Sequence, residues 1–235
     1  PMRGSDSMQV TRFLSQSQNC TYQTACELPN VRLIKHPLIE HKLTILRDRG
    51  TDPFQFRMLV DEISYLMMFE ATRDLALRKV SVHTPVAQTS AYKLATKIMI
   101  CPILRAALGM LDSVFKLMPD ASVGFLGFQR DEKTAQAEFF YAKLPADAAE
   151  RTAIIIDPMF ATGGTAIDAV KFLLKNGVKK IKFISIIAAP EGLHRFSEIY
   201  PQVEVFTASI DERLNEQKYI VPGLGDAGDR VFNTL

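Results

Sequence analysis

The sequence predicts an α/β fold with a mostly parallel central sheet flanked by helices. Five short apolar runs, Ile98–Cys101, Val123–Phe128, Ala153–Ile156, Ile181–Ala188 and Val203–Thr207, lack the polar alternation of half-solvated strands and suit strands buried on both faces. Helical patterns near Thr165–Asn176 and Pro190–Tyr200 separate the later runs, which gives the strand–helix–strand rhythm of a parallel sheet. Of the 235 residues 47% are hydrophobic, enough to bury a substantial core and too many for a disordered chain.

Taken in order, residues 1–30 are polar, rich in Ser, Gln, Thr and Asn, and are expected to form a flexible arm. Pro1–Ser7 reads as a leader, with Met8 as a candidate natural start. Ordered structure is expected from about Val31, and residues 31–235 are expected to form one globular unit. A helix from about Leu38 to Arg49 is ended by Gly50. The next helix has a readable start: Asp52 can cap, Pro53 suits the first helical position, and Gln55 completes a box-like pattern. Phe56, Leu59, Val60, Ile63, Leu66 and Met67 then recur at helical spacing, so this pair of helices reads as scaffold. Glu138–Lys143 reads as the return strand of a hairpin whose charged loop, Arg130–Ala137, is expected to be mobile. The tail Tyr219–Arg230 clusters Gly and Pro with two acids. It reads either as a surface appendage or as a loop shaped around a ligand.

Several function classes are disfavoured at once. Twenty-eight Lys and Arg against 26 Asp and Glu leave a formal charge of +2, so no bulk attraction to nucleic acid or anionic membrane is indicated. No apolar run approaches the ~18 residues of a membrane helix. Cys20, Cys26 and Cys101 form neither a C-x-x-C pair nor a zinc pattern, which suggests a reducing, cytoplasmic setting. His36, His41, His83 and His194 stand apart from Cys and carboxylates at ligand spacing. A protein-held metal site is therefore not expected.

The chemistry is concentrated in Asp157-Pro158-Met159-Phe160-Ala161-Thr162-Gly163-Gly164-Thr165. A buried strand ends at an acid, a loop of small residues follows, and a helix opens at two glycines. In an open α/β sheet, ligands bind at the carboxyl ends of the strands. The helix start offers unpaired N–H groups and the positive end of a dipole. Gly163 and Gly164 admit an anion close to the backbone, and Thr162 and Thr165 can add hydroxyl donors. The Lys of the triphosphatase loop and the G-x-G-x-x-G spacing are both missing. What remains is a monophosphate site with a carboxylate suited to vicinal ribose hydroxyls. The alternative is a helix capped by Thr162 whose glycines serve packing.

The Asp157–Thr165 segment resembles the 5-phosphoribosyl diphosphate (PRPP) motif of the uracil phosphoribosyltransferase family, where proline stands second. His36–Leu43 with Arg47-Asp48, Glu70–Leu75, Pro102–Ala106, Arg130–Thr134 and Tyr219–Arg230 resemble further blocks of that family in the same order. The resemblance implies the type I phosphoribosyltransferase fold with a β-hairpin arm and a C-terminal hood, spanning residues 31–235. It implies transfer of the phosphoribosyl group from PRPP to uracil, with Mg2+ bound through PRPP and water. It assigns PRPP to Arg105, Arg130, Asp226 and the whole of Asp157–Thr165, and uracil to Ile220, Gly225, Asp226 and Ala227. Asp226 and Arg105 are the implied catalytic residues. Asp229 and Arg230 are expected to serve hood packing or an ion pair. Relatives form dimers and higher oligomers, some responding to GTP, so a homodimer or homotetramer is implied and GTP is a candidate effector.

Two departures stand out. Arg105-Ala106-Ala107 replaces the family's usual Arg-Ala-Gly; a positive φ at Ala107 would cost roughly 1–2 kcal/mol. Ala135-Gln136-Ala137 lacks a proline often found there. Three rival readings follow: an RNA-binding regulator on the same fold, a transferase for another base, and an inactive structural subunit.

Overall fold

The computed structural model describes residues 27–130 and 137–234. Residues 1–26 of the expected arm and the loop 131–136 lie outside the described residues. Leu28 and Asn30 are already buried, and the Asn30 side-chain amide donates to the Val203 carbonyl at 3.0 Å. Packing therefore starts slightly ahead of the first strand, β1 (Val31–Leu33).

Two helices follow. α1 (Pro37–Arg47) is capped by His36, whose Nδ1 accepts from Leu38 N at 3.2 Å. It ends at Arg47 rather than Arg49; Asp48 is the C-cap and Gly50 N donates to the Asp48 carboxylate at 2.7 Å, so Gly50 serves the turn beyond the helix. α2 (Pro53–Ala71) starts as expected, with Asp52 accepting from Gln55 N. A hairpin of β2 (Leu77–His83) and β3 (Gln88–Leu94) follows and is largely solvent-facing, Val86 at its tip being 93% exposed.

The main sheet is built from β4 (Ile98–Leu104), β5 (Ser122–Val123), β6 (Phe125–Arg130), β7 (Ala137–Lys143), β8 (Thr152–Ile156), β9 (Met159–Phe160), β10 (Lys180–Ala188) and β11 (Glu204–Ile210), together with β1. Its order is β1-β11-β10-β8-β4-β6-β7, with β5 beside β4 and β9 beside β10. Every described pairing in it is parallel except β6 with β7. The expected run Val123–Phe128 is two strands. They part at Gly124, where a Cβ would sit 2.7 Å from the Leu144 side chain and 3.0 Å from Met99 Sδ.

Strand alternation loads both faces, as the continuous apolar runs require. Ile98, Ile100, Ile154, Ile156 and Ile184 pack with α1, α2 and α3 (Leu111–Leu117). Met99, Cys101, Ala153, Ile155 and Phe183 pack with α4 (Gly164–Lys175) and α5 (Pro190–Ile199). The tail is not simple coil. β12 (Arg213–Leu214) pairs antiparallel with β13 (Ile220–Val221), and a short helix, α6 (Ala227–Phe232), closes it. Ile220, Leu224, Ala227 and Val231 enter the same apolar cluster as α1 and α2, so the tail is welded to the core.

Candidate active site

The carboxyl end of β8 delivers the acid. Asp157 N donates to Ile184 O at 3.1 Å, tying the strand end to β10, and its Oδ1 accepts from Met159 N at 3.3 Å. β9 then continues along β10, opposite Ile187 and Ala188. Phe160 meets Phe183 and Phe196 edge to face at centroid distances of 5.0 and 5.4 Å, which anchors the segment from below. Ala161–Gly163 crosses to α4. Gly163 has φ +74°, and a Cβ there would lie 2.8 Å from Gly192 O. Gly192, in α5, is more tightly placed still: its Cβ would lie 2.0 Å from Ala161 O and 3.0 Å from Gly163 N. The two glycines let α5 press on the back of the loop, so that the loop backs onto rigid structure. Gly163, the N-cap of α4, makes no side-chain cap bond, and the Thr162 hydroxyl accepts only a long bond, 3.4 Å, from Gly164 N. The N–H groups and dipole of the first turn keep the property that suits an anion.

The tail supplies the facing wall. Gly223 and Gly225, at φ +65° and +80°, bend the chain after β13, and the Val221–Pro222 peptide is cis. Asp226 caps α6, its Oδ1 accepting from Asp229 N at 2.9 Å. Two arginines hang this wall from the helices. Arg47 binds Gly223 O at 2.7 Å and both carboxylate oxygens of Asp211 at 2.6 and 2.7 Å. Arg230 donates to Leu46 O, Leu224 O and Asp48 O and lies 4.2 Å over the Phe56 ring. Burial pulls its guanidinium pKa down, with Asp48 opposing, which leaves an arginine charged.

Loop and tail line one cleft, about 820 Å3 counting the part open to solvent. One wall is Asp157, Met159, Phe160 and Ala161–Thr165; the other is Ile220 and Gly225–Ala227. The expected PRPP segment and the expected uracil segment therefore share a cavity. Pro158 is the exception within the motif. It is buried, its carbonyl accepts from Ile186 N and Ile187 N at 3.1 Å, and it does not line the cleft. Arg105 stands next to the cleft-lining Ala106, 62% exposed at the side chain. Its Nη2 lies 3.4 Å from Asp229 Oδ1 and its guanidinium 5.7 Å over Phe232. Arg130 closes β6; its side chain lies outside the described residues. Ala107 is fully buried in a 3-10 turn, Ala106–Met110, and does not have positive φ. The strain expected from its Cβ is absent.

Lys218, Tyr219 and Gly228 also line the cleft, with Gly192 behind it; Tyr219 and Gly228 lie in the tail block but had no assigned role, while Lys218 and Gly192 stood outside every expected site segment. A glycine inside the helical Pro190–Tyr200 pattern was a readable signal, since glycine there weakens a helix and asks for a packing reason. Lys218 adopts φ +66° with no sequence cue. Among the described residues, no three His, Cys, Asp or Glu cluster as a metal site, and no helix is long and apolar enough to cross a membrane.

Comparison with known proteins agrees with this architecture. A solved structure, the AQ2163 protein from Aquifex aeolicus, superposes with a TM-score of 0.83 at 39% identity, covering 86% of this chain and 97% of that one. An adenine phosphoribosyl transferase from Trypanosoma brucei superposes at 0.54 and 12% identity over 85% of this chain and 89% of its own, sharing the type I phosphoribosyltransferase fold. A uracil phosphoribosyltransferase of Campylobacter curvus is 83% identical over 208 residues, 88% of this chain and all of that protein. The family model described as uracil phosphoribosyltransferase matches residues 33–234, and the chain belongs to that family.

Proposed function

We propose that this chain transfers the 5-phosphoribosyl group of PRPP to N1 of uracil, giving uridine 5′-phosphate and diphosphate in pyrimidine salvage. The observation that carries the reading is the shared cleft: a glycine-opened helix start with a carboxylate beside it, facing a rigid, backbone-rich tail. In this reading the N–H groups of Ala161–Thr165 and the hydroxyls of Thr162 and Thr165 hold the 5-phosphate. Asp157 accepts from the ribose hydroxyls. Arg105 and Arg130 face the diphosphate, where a guanidinium matches phosphate oxygens and stays charged. Arg105 reaches it by leaving Asp229, a modest loss for a pair this exposed.

Uracil is flat, with two carbonyls and two N–H groups, so fixed backbone atoms of Ile220 and Gly225–Ala227 can read it. As the N1–C1 bond forms, the C1–O bond breaks, its electron pair goes to diphosphate, and the N1 proton passes to water. Positive charge develops on the ribose, and the Asp226 carboxylate stabilises it. The rest of the acceleration is positioning of the two reactants in one cleft. Mg2+ would be held through PRPP oxygens and water rather than by a protein ligand cluster, with the Asp226 carboxylate facing that side of the cleft, and would neutralise leaving-group charge.

The same reading extends to a homodimer or homotetramer. The solvent-facing β2–β3 hairpin and the exposed Phe54, Met58, Tyr65 and Phe69 along α2 support it. It extends also to a cytoplasmic setting, supported by the sparse thiols, and to GTP as a candidate effector. The test is diphosphate release with uracil, PRPP and Mg2+, repeated with other bases and with GTP, alongside light scattering. Release that depends on uracil is expected; release with another base and not uracil overturns the reading.

A further inference from the structure

We infer that Arg47 and Asp211 are positioning residues that set the base-reading geometry of the cleft without touching substrate. The inference rests on the function proposed above. Asp211 follows β11, and its side chain is 1% exposed; Arg47 ends α1 and its side chain is 24% exposed. The two meet in a bidentate pair, Nη2 to Oδ1 at 2.6 Å and Nη1 to Oδ2 at 2.7 Å. Ser209 Oγ donates to Asp211 Oδ1 at 2.8 Å and accepts from Arg47 Nη2 at 3.1 Å.

The remaining valences converge on one glycine of the tail. Gly223 N donates to Asp211 Oδ2 at 2.9 Å, and Gly223 O accepts from Arg47 Nη1 at 2.7 Å. These two contacts hold the peptide planes on either side of Gly223, and so fix its φ of +65°. That torsion sets how the chain passes from Ile220, on the cleft wall, to Gly225 and Asp226 on the same wall. The turn has no slack, since a Cβ at Gly223 would lie 2.1 Å from Ile220 O.

A buried ion pair is a poor device for stability, because desolvation offsets the attraction and an apolar pair of similar volume often does as well. It is a good device for holding a loop at fixed geometry. Arg47 and Asp211 can do this across 164 residues of sequence because α1 and β11 are both rigid. Uracil recognition by backbone atoms requires such rigidity, whereas the phosphate loop is braced separately by Gly192.

Steady-state kinetics on the full chain separate the two walls. Arg47→Lys keeps the charge and loses the bidentate fork; Asp211→Asn keeps the shape and loses the charge. Each is expected to raise the KM for uracil by about tenfold or more and the KM for PRPP, which meets the same wall only at Asp226, by clearly less, the pattern of a displaced base-binding wall. Unchanged uracil KM, or equal rises in both constants, overturns the inference. Should neither variant fold, Ser209→Ala leaves both charges in place. It is expected to raise uracil KM by roughly threefold and PRPP KM by clearly less, an effect the size of one shared hydrogen bond, and no change overturns the inference. If the unmodified chain shows no uracil-dependent release of diphosphate, the function proposed above fails and takes this inference with it. An active parent whose variants show no split sinks this inference alone.

Discussion

Gly192→Ala is the sharpest perturbation of the phosphate wall, because it adds a single methyl group outside the cleft. The new Cβ would lie 2.0 Å from Ala161 O and 2.9 Å from Ala161 C, both backbone atoms. Comfortable contact begins near ~3.5 Å, so the loop or the start of α5 has to retreat by roughly 1.5 Å. A misplacement of about 1 Å at a binding element can cost ~100-fold, or about 2.7 kcal/mol of transition-state stabilisation. Helix propensity pushes the other way: replacing glycine by alanine within α5 favours the helix by up to ~1 kcal/mol. Thermal stability should therefore fall far less than activity. The assay is kcat/KM with PRPP varied at saturating uracil, beside a thermal melt. A ~100-fold loss in kcat/KM with a cooperative melt is expected. A variant with parental kcat/KM would show that contact between α5 and the Ala161–Gly163 loop does not position the donor.

Three further outcomes follow from the same geometry. Asp226→Asn keeps an oxygen that can cap α6, so the melt should move little, while turnover should drop ~100-fold or more as the charge is lost; an unimpaired rate removes Asp226 from catalysis. Asp157→Ala should weaken PRPP binding ~10- to 100-fold through lost charge-assisted hydrogen bonds, and unchanged affinity in calorimetry contradicts the ribose role. Asp147 accepts from Arg151 at 2.7 and 3.0 Å and from Lys97 at 2.9 Å, and these cations hold its carboxyl well below the usual range. A lowered folded pKa means stability fully present above the unfolded value near ~3.9 and lost as pH falls toward the folded one. Asp147→Asn should therefore melt lower than the parent at pH 7, with the gap closing on acidification. A gap that persists or widens in acid contradicts the assignment.

What was legible in the sequence was what local chemistry encodes. The apolar runs of β4, β8, β10 and β11 announced strands buried on both faces, and Asp157–Thr165 announced the strand end, loop and helix start that, Pro158 apart, line the cleft. The β2–β3 hairpin was not read, because no face of it is fully buried and only Val80, Val82 and Ala91 are half-buried, too short an apolar alternation to mark a strand. The close approach of Leu144 and Met99 that requires a glycine at position 124 exists only in the folded chain. Pro158 looked like part of a binding loop by adjacency, yet its carbonyl is spent on β10. Ala107 looked strained by comparison with relatives, and its 3-10 turn removes the need for a positive φ. The bracing of the cleft by Gly192, Arg47, Asp211 and Arg230 joins segments distant in sequence, so no window of residues could display it. The tail's two readings were separated by the same kind of contact: Ile220, Leu224 and Val231 fix it to the core, so it is a wall of the cleft and not an appendage.

A crystal structure with uridine 5′-phosphate bound shows directly whether donor and base occupy the two walls of a single cleft. The phosphate is expected against the N–H groups of Ala161–Thr165, the ribose hydroxyls at Asp157, and the pyrimidine against Ile220 and Gly225–Ala227. A nucleotide with its phosphate away from the start of α4, or its base out of contact with the tail, would contradict that arrangement.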